Sequence, residues 1–596
     1  MKPTAIAYAD ARRLQRALQA GIAYVLARRD QLNHLNVYPV ADHDTGTNLA
    51  ATLREVLNAI DGEPGNNTGE LLIRVAEAAL DGARGNSGAI MAQYFQGLSD
   101  GARRTRRLGA RRLAAIARRG AHSAWQAMAE PQAGTLPSVL DDFAAELVDL
   151  VRRGLHDLRA LLDGGLERAR RSLAATMHQL PALEAAGVVD AGAQGFVDFL
   201  EGITHYMHSG RLAMPPAAAP EAPGTGHTAA GACYRYCTEC LIHGRAIDRA
   251  ALTAELGSLA GDSLIVAGSG RRVRIHIHTD SPNEVYLVAR RYGELARQKA
   301  DDMQRQQRLI DQPGQVAIVT DSGADLPAAE AERLGVHLVP LRLMIGDNEY
   351  LDRVSLEPGD FYRLMTESEA EAKTSQPPAS DFRRQYELLT GHDYDVVTLC
   401  LSARLSGTYS AAQAAAQRAA RDRIEVIDTR NAAAGQGLLV LHAAEVAAAG
   451  ADRAAVLQAI ATYRDLTRTY ALIHDLGFGV RGGRVKPWMK RLADFIGLKP
   501  VLANSPDGRL VARGVLYERG AAVESFGRWL QRRMAADKMY RVMISHTAAP
   551  AAADQLRTLL LAGKARIEAC WITETSPAVA VHAGPGALVA ALQERP

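Results

Sequence analysis

The residues best suited to chemistry stand between Tyr38 and Asn48, where Asp42 and Asp44 are separated by one residue. Two carboxylates on a tight turn are hard oxygen ligands of the kind that Mg²⁺ prefers. Small and hydroxyl-bearing residues follow them at the start of a predicted helix, where backbone N–H groups bind phosphates well. The spacing therefore indicates a magnesium-bound nucleotide and phosphoryl transfer. The competing interpretation is a plain turn with a helix cap, which is the commoner meaning of an isolated Asp-x-Asp.

Two more polar turns favour the nucleotide interpretation. Gly82–Gly88 is glycine-rich and leads into a predicted helix over Ala89–Gly97, and Val189–Gly195 lies between two predicted helices. Loops held by a rigid scaffold commonly carry binding residues. Three such turns are typical of one site that is assembled from several loops.

The middle of the chain contains a second candidate cluster. Side-chain alternation along one predicted strand places Cys237 and Glu239 on the same face, and along the next it places His276 with His278. A thiolate and two imidazoles suit zinc, although the spacing shows no fourth ligand. The alternative is a buried thiol beside two hydrogen-bonded histidines.

A third set of polar residues lies on loops in the C-terminal half. Each offers an anion a hydroxyl, a backbone N–H at a helix start, a guanidinium or an imidazole. Taken singly, each loop is more often ordinary helix capping than a ligand contact. The set comprises Thr374, Ser406, Gly407, Arg484 and His582.

The elements that must position these residues change along the chain. Residues 1–210 have a helical pattern, a Pro/Ala-rich linker spans 211–231, and residues 232–312 are mixed α/β. Residues 315–596 alternate short apolar strands with helices, which predicts an α/β sheet with parallel strands. The predicted strands are Tyr234–Ile242, Val273–Thr279, Val316–Thr320, Val396–Leu401, Ile424–Ile427 and a short one at Val579–Val581 before His582. Asp325 is predicted to cap a helix that has Pro327 in its first turn.

Composition excludes several classes of protein. A length of 596 residues predicts several domains, and a hydrophobic fraction of 47% allows sizeable cores. We expect no transmembrane helix and no signal segment, because long apolar runs are missing. Five cysteines without a regular framework predict a reducing, cytoplasmic environment. The net charge of +3 gives no argument for a nucleic-acid partner.

Arginines are concentrated in one stretch of the helical part. The ordinary interpretation of such a run is a solvated helix face. The alternative is contact with an anionic membrane surface or an acidic partner. The arginines are Arg103, Arg104, Arg106, Arg107, Arg111, Arg112, Arg118 and Arg119.

The turn around Asp42 and Asp44 resembles the signature of a known family, the nucleotide-binding domain of DhaL-type dihydroxyacetone kinases. The closer resemblance is to the first domain of bacterial fatty acid kinases, over about residues 1–210. Ala41 replaces a proline and His43 replaces a glycine of that signature, which puts the backbone angles of the turn in question because glycine reaches positive φ at less cost. The residues in register are Asn36, Pro39, Asp42, Asp44, Thr45, Gly46, Thr47 and Asn48.

This resemblance implies an all-α helical barrel that binds ATP and Mg²⁺. It implies that Asn36, Asp42 and Asp44 hold the magnesium. The nucleotide-binding residues that it implies are Asn36, Thr45, Gly46, Thr47, Asn48, Asn86, Ser87, Gly88, Gly134, Thr135, Asp190 and Gly192.

The rest of the chain resembles two further families. Residues 232–312 are similar to the middle domain of fatty acid kinases, which implies a small α/β domain with a zinc site at Cys237, His276 and His278. Residues 315–596 resemble the two-lobed α/β DegV family, which binds a fatty acid between its lobes. That resemblance implies that Thr374, Ser406 and His582 contact the carboxylate, with Gly407 and Arg484 close by.

The whole multidomain chain therefore resembles a fatty acid kinase catalytic protein that is fused to its fatty-acid-binding partner. The implied reaction converts ATP and a fatty acid to acyl phosphate and ADP. The implied partners are a downstream acyltransferase that uses acyl phosphate for phospholipid synthesis and a second copy of the chain. The arginine run adds a peripheral membrane contact as its alternative interpretation. Two alternatives remain: a kinase for a small hydroxylated substrate such as dihydroxyacetone, and a non-catalytic lipid carrier or regulator.

Overall fold

The computed structural model divides the chain into two compact units, Met1–Gln307 and Arg308–Pro596. Within the part of the chain that the structure describes, no helix combines the length and apolar character needed to span a bilayer. The predicted linker over 211–231 falls almost entirely outside the described residues. These are 5–40, 42–212, 234–311, 315–346, 348–367, 372–419, 421–483, 485, 490–491, 498–517 and 522–595.

The helical part of the first unit is a closed ring, which confirms the predicted helical barrel. Each long helix packs on the next, in the order α1-α3-α4-α5-α6-α7-α8-α10, and α10 returns to α1. Gly202 permits that closure, because a Cβ there would stand 2.4 Å from the Ala20 carbonyl oxygen. The helices are α1 Ala11–Ala27, α2 Arg29–His34, α3 Thr45–Ile60, α4 Thr68–Gly82, α5 Gly85–Ala102, α6 Ala110–Gln126, α7 Leu136–Arg152, α8 Leu158–Thr176, α9 Pro181–Ala186 and α10 Ala191–Ser209.

The ring also carries a short antiparallel pair that the sequence did not predict, β1 (Tyr8–Ala9) with β2 (Leu108–Gly109). Helix starts in the ring are held by side chains that accept backbone N–H groups. Asp10 caps α1 in this way, Asp157 caps α8 and Asp190 caps α10.

A four-stranded antiparallel sheet in the order β4-β5-β3-β6 packs on the ring. Leu241, Ile265 and Ala267 of this sheet belong to the same apolar cluster as the ring helices. The ring and the sheet therefore share one core. The elements are β3 Tyr236–His243, α11 Arg249–Gly257, β4 Asp262–Gly268, β5 Arg272–Thr279, α12 Pro282–Arg290, β6 Glu294–Asp302 and α13 Met303–Asp311.

The second unit begins with a parallel sheet in the order β13-β12-β7-β8, which confirms the predicted parallel strands. A small antiparallel sheet, β10-β9-β11, accompanies it. The elements are β7 Val316–Asp321, α14 Ala328–Arg333, β8 His337–Val339, β9 Arg342–Ile345, β10 Asn348–Leu351, α15 Pro358–Glu367, β11 Ala372–Ser375, α16 Ala379–Gly391, β12 Asp395–Cys400, α17 Thr408–Ala416, a 3₁₀ turn at Arg421–Arg423, β13 Ile424–Asp428, α18 Ala433–Ala448 and α19 Arg453–Leu466.

A six-stranded sheet in the order β16-β15-β14-β19-β17-β18 completes the second unit. Its pairs are antiparallel except for β17 with β18, so the prediction of parallel strands does not extend to it. The elements are β14 Thr467–Leu472, α20 Leu476–Arg481, β15 Leu498–Asn504, β16 Leu510–Tyr517, α21 Ala522–Gln531, β17 Met539–His546, α22 Pro550–Leu561, β18 Arg566–Glu574, α23 Pro577–Ala583 and β19 Leu588–Arg595.

Two local predictions were wrong. The predicted strand at Val579–Val581 lies within helix α23, whose start is held by the Ser576 side chain. An apolar run of this length does not distinguish a buried helix from a strand. Asp325 caps no helix, since α14 starts after Pro327 without a side-chain cap. Asp325 is instead fully buried and accepts a hydrogen bond from the Ser576 backbone N–H at 3.0 Å.

Candidate active site

The Asp42–Asp44 turn comes directly before helix α3, as the spacing predicts. The Asn36 amide donates to the Asp42 carboxylate at 2.7 Å, and the Asn36 oxygen accepts from the Thr45 hydroxyl. In this arrangement Asn36 orients Asp42. Burial, followed by the neighbouring Asp44 charge, raises the pKa of Asp42 well above its ordinary value. Two crowded carboxylates of this kind fit a divalent cation, which neutralises both charges.

His43 adopts a φ of 53° at the position where the related signature has glycine. Left-handed backbone costs a non-glycine residue about 1–2 kcal/mol. The His43 ring lies 3.0 Å from the Asn33 carbonyl oxygen, through Nδ1. Asn33 also accepts from the Thr47 backbone N–H at 2.9 Å. The turn therefore keeps both carboxylates together despite the substitution.

The three polar turns meet, as the sequence predicts. A Cβ on Gly85 would stand 2.5 Å from the Asn48 amide nitrogen, and a Cβ on Gly192 would stand 2.5 Å from the Ser87 hydroxyl. Helix α5 starts at Gly85, so Asn86, Ser87 and Gly88 form its first turn. The Asn86 oxygen is buried without a hydrogen-bond partner among the described residues.

Asp190 connects a fourth turn to this group. Its carboxylate accepts from the Ala193 backbone N–H at 2.8 Å and also from the Leu136 backbone N–H, which follows Gly134 and Thr135. Burial raises the pKa of Asp190 to about 6. Gly134 has a φ of 84°, which only glycine adopts at low cost.

Two rows of polar side chains cross one face of the β4-β5-β3-β6 sheet. In the first row, Glu239 is paired with His276 on β5 and with Lys299 on β6. In the second row, Cys237 is paired with His278 on β5 and with Asp301 on β6. Residues two apart on a strand share a face, so both rows point the same way.

The predicted cluster of Cys237, His276 and His278 is compact, because its ligand atoms all lie within 4.8 Å of one another. Nδ1 of His276 lies 3.0 Å from Glu239, and Nδ1 of His278 lies 3.0 Å from Asp262. A carboxylate on one ring nitrogen is the usual support of a metal-binding histidine. Burial lowers the pKa of His276 to about 4, which keeps the ring neutral, and its Nε2 is buried without a partner in the described structure. The donor set therefore fits zinc with three protein ligands and one open position.

The polar face of the sheet lies against the polar turns of the helical ring. The Gly85 backbone N–H donates to Glu239 at 2.6 Å, and Arg274 donates to the other oxygen of Glu239 at 2.7 Å. Lys299 is 6% exposed and pairs with Asp301 at 2.8 Å. The Lys299 ammonium also acts against the burial that raises the pKa of Asp44. The two clusters that the sequence suggested separately thus belong to one site.

The second unit brings together most of the predicted anion-binding residues. The Thr374 hydroxyl lies 2.8 Å from Nε2 of His582. Gln376, just after Thr374, lies over Gly407, where a Cβ would stand 1.8 Å from its oxygen. The Ser406 hydroxyl lies 2.8 Å from that of Thr408 at the start of α17. Arg484 lies outside the described residues.

Sequence reasoning missed Lys299 and Asp301, and it gave Glu239 no role. The signal for them lay in residues 294–302, because side-chain alternation along a strand places Lys299 and Asp301 on one face. Arg274, two residues before His276, was missed as well.

Three sequence families match the chain in succession. Residues 39–205 match the DAK2 domain, residues 233–310 match the middle domain of fatty acid kinase-like proteins, and residues 315–595 match the uncharacterised proteins of the DegV family. One chain therefore joins all three, as the sequence motifs predict.

A DegV domain-containing protein of Caldanaerobacter subterraneus subsp. tengcongensis is 33% identical over 195 residues, which are 33% of this chain and 69% of that protein. The chain belongs to the DegV family. An uncharacterised protein of Staphylococcus epidermidis is 31% identical over 293 residues, 47% of this chain and 53% of its own length. The chain thus spans about half the length of this staphylococcal relative.

Solved structures of the DegV family also resemble the chain. One is described as showing fatty acid binding of a DegV family protein from Thermus thermophilus, with 31% identity, a TM-score of 0.44 and coverage of 47% of this chain and 100% of that one. Another is the fatty acid kinase B3 protein of Streptococcus pneumoniae loaded with linoleic acid, with 21% identity, a TM-score of 0.42 and coverage of 47% and 99%.

Proposed function

We propose that this chain is a fatty acid kinase, which transfers the γ-phosphate of ATP to the carboxylate of a bound fatty acid and forms acyl phosphate. The observation that carries the proposal is the hydrogen bond from Gly85 to Glu239, which joins the phosphate-binding turns to the sheet cluster. The order of the three matched families, one of them named for fatty acid kinase, supports the substrate class.

The residues present suit this chemistry. A fatty acid carboxylate is ionised at neutral pH, since a carboxyl pKa lies at roughly 4–5, so the nucleophile needs no general base. Catalysis then consists of positioning and charge neutralisation. Asp42 and Asp44 would hold the magnesium, which screens the phosphate charges when it is bound. In the first turn of α5, the backbone N–H groups of Asn86 and Ser87 would bind the phosphates.

The cluster of Cys237, His276 and His278 would hold zinc, which acts as a Lewis acid towards a carboxylate or phosphoryl oxygen when it is bound. Lys299 adds a buried positive charge on the same face of the sheet. In the DegV unit, Thr374, Ser406 and His582 would bind the carboxylate of the fatty acid. The hydrocarbon tail would pack against apolar side chains.

The test measures fatty-acid-dependent ADP release together with acyl phosphate, which is trapped as the hydroxamate. We expect Asp44→Asn to lower both rates at least 100-fold, because the magnesium loses a charged ligand. Asp61→Asn, an exposed aspartate at the other end of α3, removes the same charge and should leave both rates unchanged. A rate of ADP release that does not change when fatty acid is added would refute the proposal. The small-molecule kinase and the lipid carrier would then remain as the alternatives.

A further inference from the structure

The arginine surface consists of the eight arginines between Arg103 and Arg119, on the loop before β2 and on helix α6. All eight side chains are exposed, and the sequence has no acidic residue between Asp100 and Glu130. Arg103 pairs with Asp100 at 2.8 Å and Arg118 pairs with Asp141 at 2.6 Å. Among the described residues, the other six have no ion pair.

Ion pairs among the described residues account for only two of these eight charges. Arg111 and Arg112 occupy the first turn of α6, where the helix dipole disfavours a cation. Arg104 has a φ of 69°, a backbone conformation that a side chain of its size rarely adopts. The side of α6 that packs on the ring is instead formed by small residues such as Ala114, Ala117 and Ala121, which are buried. The arginines therefore require an explanation outside the folded core.

The distribution of charge is broad. From Arg111 to Arg119 the positive residues extend about 12 Å along the helix, and the loop arginines lengthen the surface further. Tyr8, the aromatic residue beside them, is 39% exposed, and the Arg107 guanidinium lies 4.5 Å from its ring centroid. A nucleic acid strand is usually held by several aromatic rings that are open to base stacking, and Tyr8 offers a single ring with a guanidinium already over it. Exposed cations that are spread along a helix and the loop before it fit a planar array of phosphate charges.

We propose that the arginine surface docks the protein on a bilayer that contains anionic phospholipid. The choice of a lipid surface rests on the proposed function, because both the fatty acid and the acyl phosphate partition into membranes. Docking is electrostatic and reversible.

The test uses the full chain without ATP or fatty acid, so its outcome is independent of kinase activity. Co-sedimentation is measured with phosphatidylcholine vesicles and with vesicles that contain about one-third phosphatidylglycerol. The variant Arg106→Gln/Arg111→Gln/Arg119→Gln removes three arginines that lack ion pairs among the described residues. We expect binding only to the anionic vesicles, a roughly 100-fold loss in the variant at about fivefold for each arginine, and release by salt.

The matched control is Arg54→Gln/Arg245→Gln/Arg271→Gln, which removes three exposed arginines from other elements of the first unit and should bind like the wild type. Circular dichroism checks that both variants fold. Absence of binding to anionic vesicles, or equal binding by both variants, would overturn the proposal. Tighter binding of a short single-stranded RNA, lost in the first variant, would also overturn it in favour of a nucleic acid.

Discussion

Glu239 accepts several hydrogen bonds in the candidate site. It accepts hydrogen bonds from Gly85, Arg274 and His276 and is 1% exposed. Because Glu239 occupies Nδ1 of His276, the lone pair of that ring is presented at Nε2. The state of the carboxylate therefore decides which ring nitrogen is available to a metal.

Glu239→Gln should weaken zinc binding about 10- to 100-fold, because the new amide can donate to Nδ1 and move the ring proton to Nε2. The loss is measured by competition with a zinc chelator and needs no ATP. Asp262→Asn should act in the same direction through His278.

The control for this change is Glu294→Gln, at an exposed position at the start of β6. Unchanged zinc affinity in both Glu239→Gln and Asp262→Asn would contradict the assignment of His276 and His278 as zinc ligands. It would leave the interpretation of a buried thiol beside hydrogen-bonded histidines.

At the residue scale, the sequence predicted the carboxylates, the glycine turns and the three zinc-type ligands because alternation and turn chemistry are local. It did not predict Lys299 and Asp301. The strand that carries them is mostly polar, and its residues have low strand propensity. Pairing with β3 decides its structure, and that pairing is not visible in the strand's own residues.

At the scale of elements, contact between α2 and α3 fixes the position of the Asp42–Asp44 turn. Gly46 lies in the first turn of α3, where a Cβ would stand 2.0 Å from the Arg29 carbonyl oxygen. The backbone of α2 leaves no room for a side chain. The position of the Asp42–Asp44 turn therefore depends on this glycine.

Gly46→Ala should destabilise the protein by about 1–3 kcal/mol and lower fatty-acid-dependent ADP release, although alanine favours helices. Gly257→Ala, at the end of α11, where the nearest side-chain atom would be 4.0 Å away, should lower neither the stability nor the rate. Urea unfolding measures the first quantity. Equal stability of the two variants would show that α2 can shift without cost.

Asp190, at the N-terminus of α10, destabilises the folded protein when its buried carboxylate is ionised. The pKa of Asp190 is raised to about 6 by burial, against about 3.9 in an unfolded chain. The folded chain therefore binds this proton more tightly. Its contribution to the free energy of unfolding is fully present below about pH 4 and is lost as the pH rises through about 6.

Asp190→Asn keeps an acceptor at the cap and removes the buried charge. We expect the variant to be more stable than the wild type by about 1–3 kcal/mol at pH 8 and nearly equal to it at pH 4. Unfolding in urea at the two pH values measures the difference. A gain of the same size at both would mean that the carboxylate does not carry the raised pKa.

Helices were predicted correctly where the apolar period extends over many residues, as in the ring helices. The prediction was wrong where the apolar run is short, as at Val579–Val581, because so few residues do not distinguish a strand from a buried helix. The antiparallel character of the six-stranded sheet was also missed. Strand direction depends on pairing between segments that are distant in the chain, such as β14 with β19.

At the scale of the whole molecule, the order of the parts could be predicted, since each part has its own composition and period. The packing of the sheet on the helical ring could not. It depends on contacts such as that between Gly85 and Glu239, which are 154 residues apart. The fusion itself has a kinetic consequence, because one chain carries both the proposed nucleotide site and the DegV unit.

A tether gives its two ends an effective concentration on the order of millimolar, far above the concentration of separate chains in an assay. Transfer within one chain should therefore dominate over transfer between dissociated chains. Turnover per chain should be nearly independent of protein concentration. A rate per chain that rises in proportion to concentration would indicate transient encounters instead.

Mixing two inactive variants tests the same expectation more sharply. Asp44→Asn removes the proposed magnesium ligand, and His582→Ala removes a proposed contact of the fatty acid carboxylate. Each variant retains the site that the other variant has lost. If transfer occurs within one chain, a mixture at low concentration should stay inactive, because the intact halves stand on different molecules. Acyl phosphate formation restored to a sizeable fraction of the wild-type rate, and unchanged on dilution, would instead show that one chain of a stable dimer phosphorylates the fatty acid held by the other.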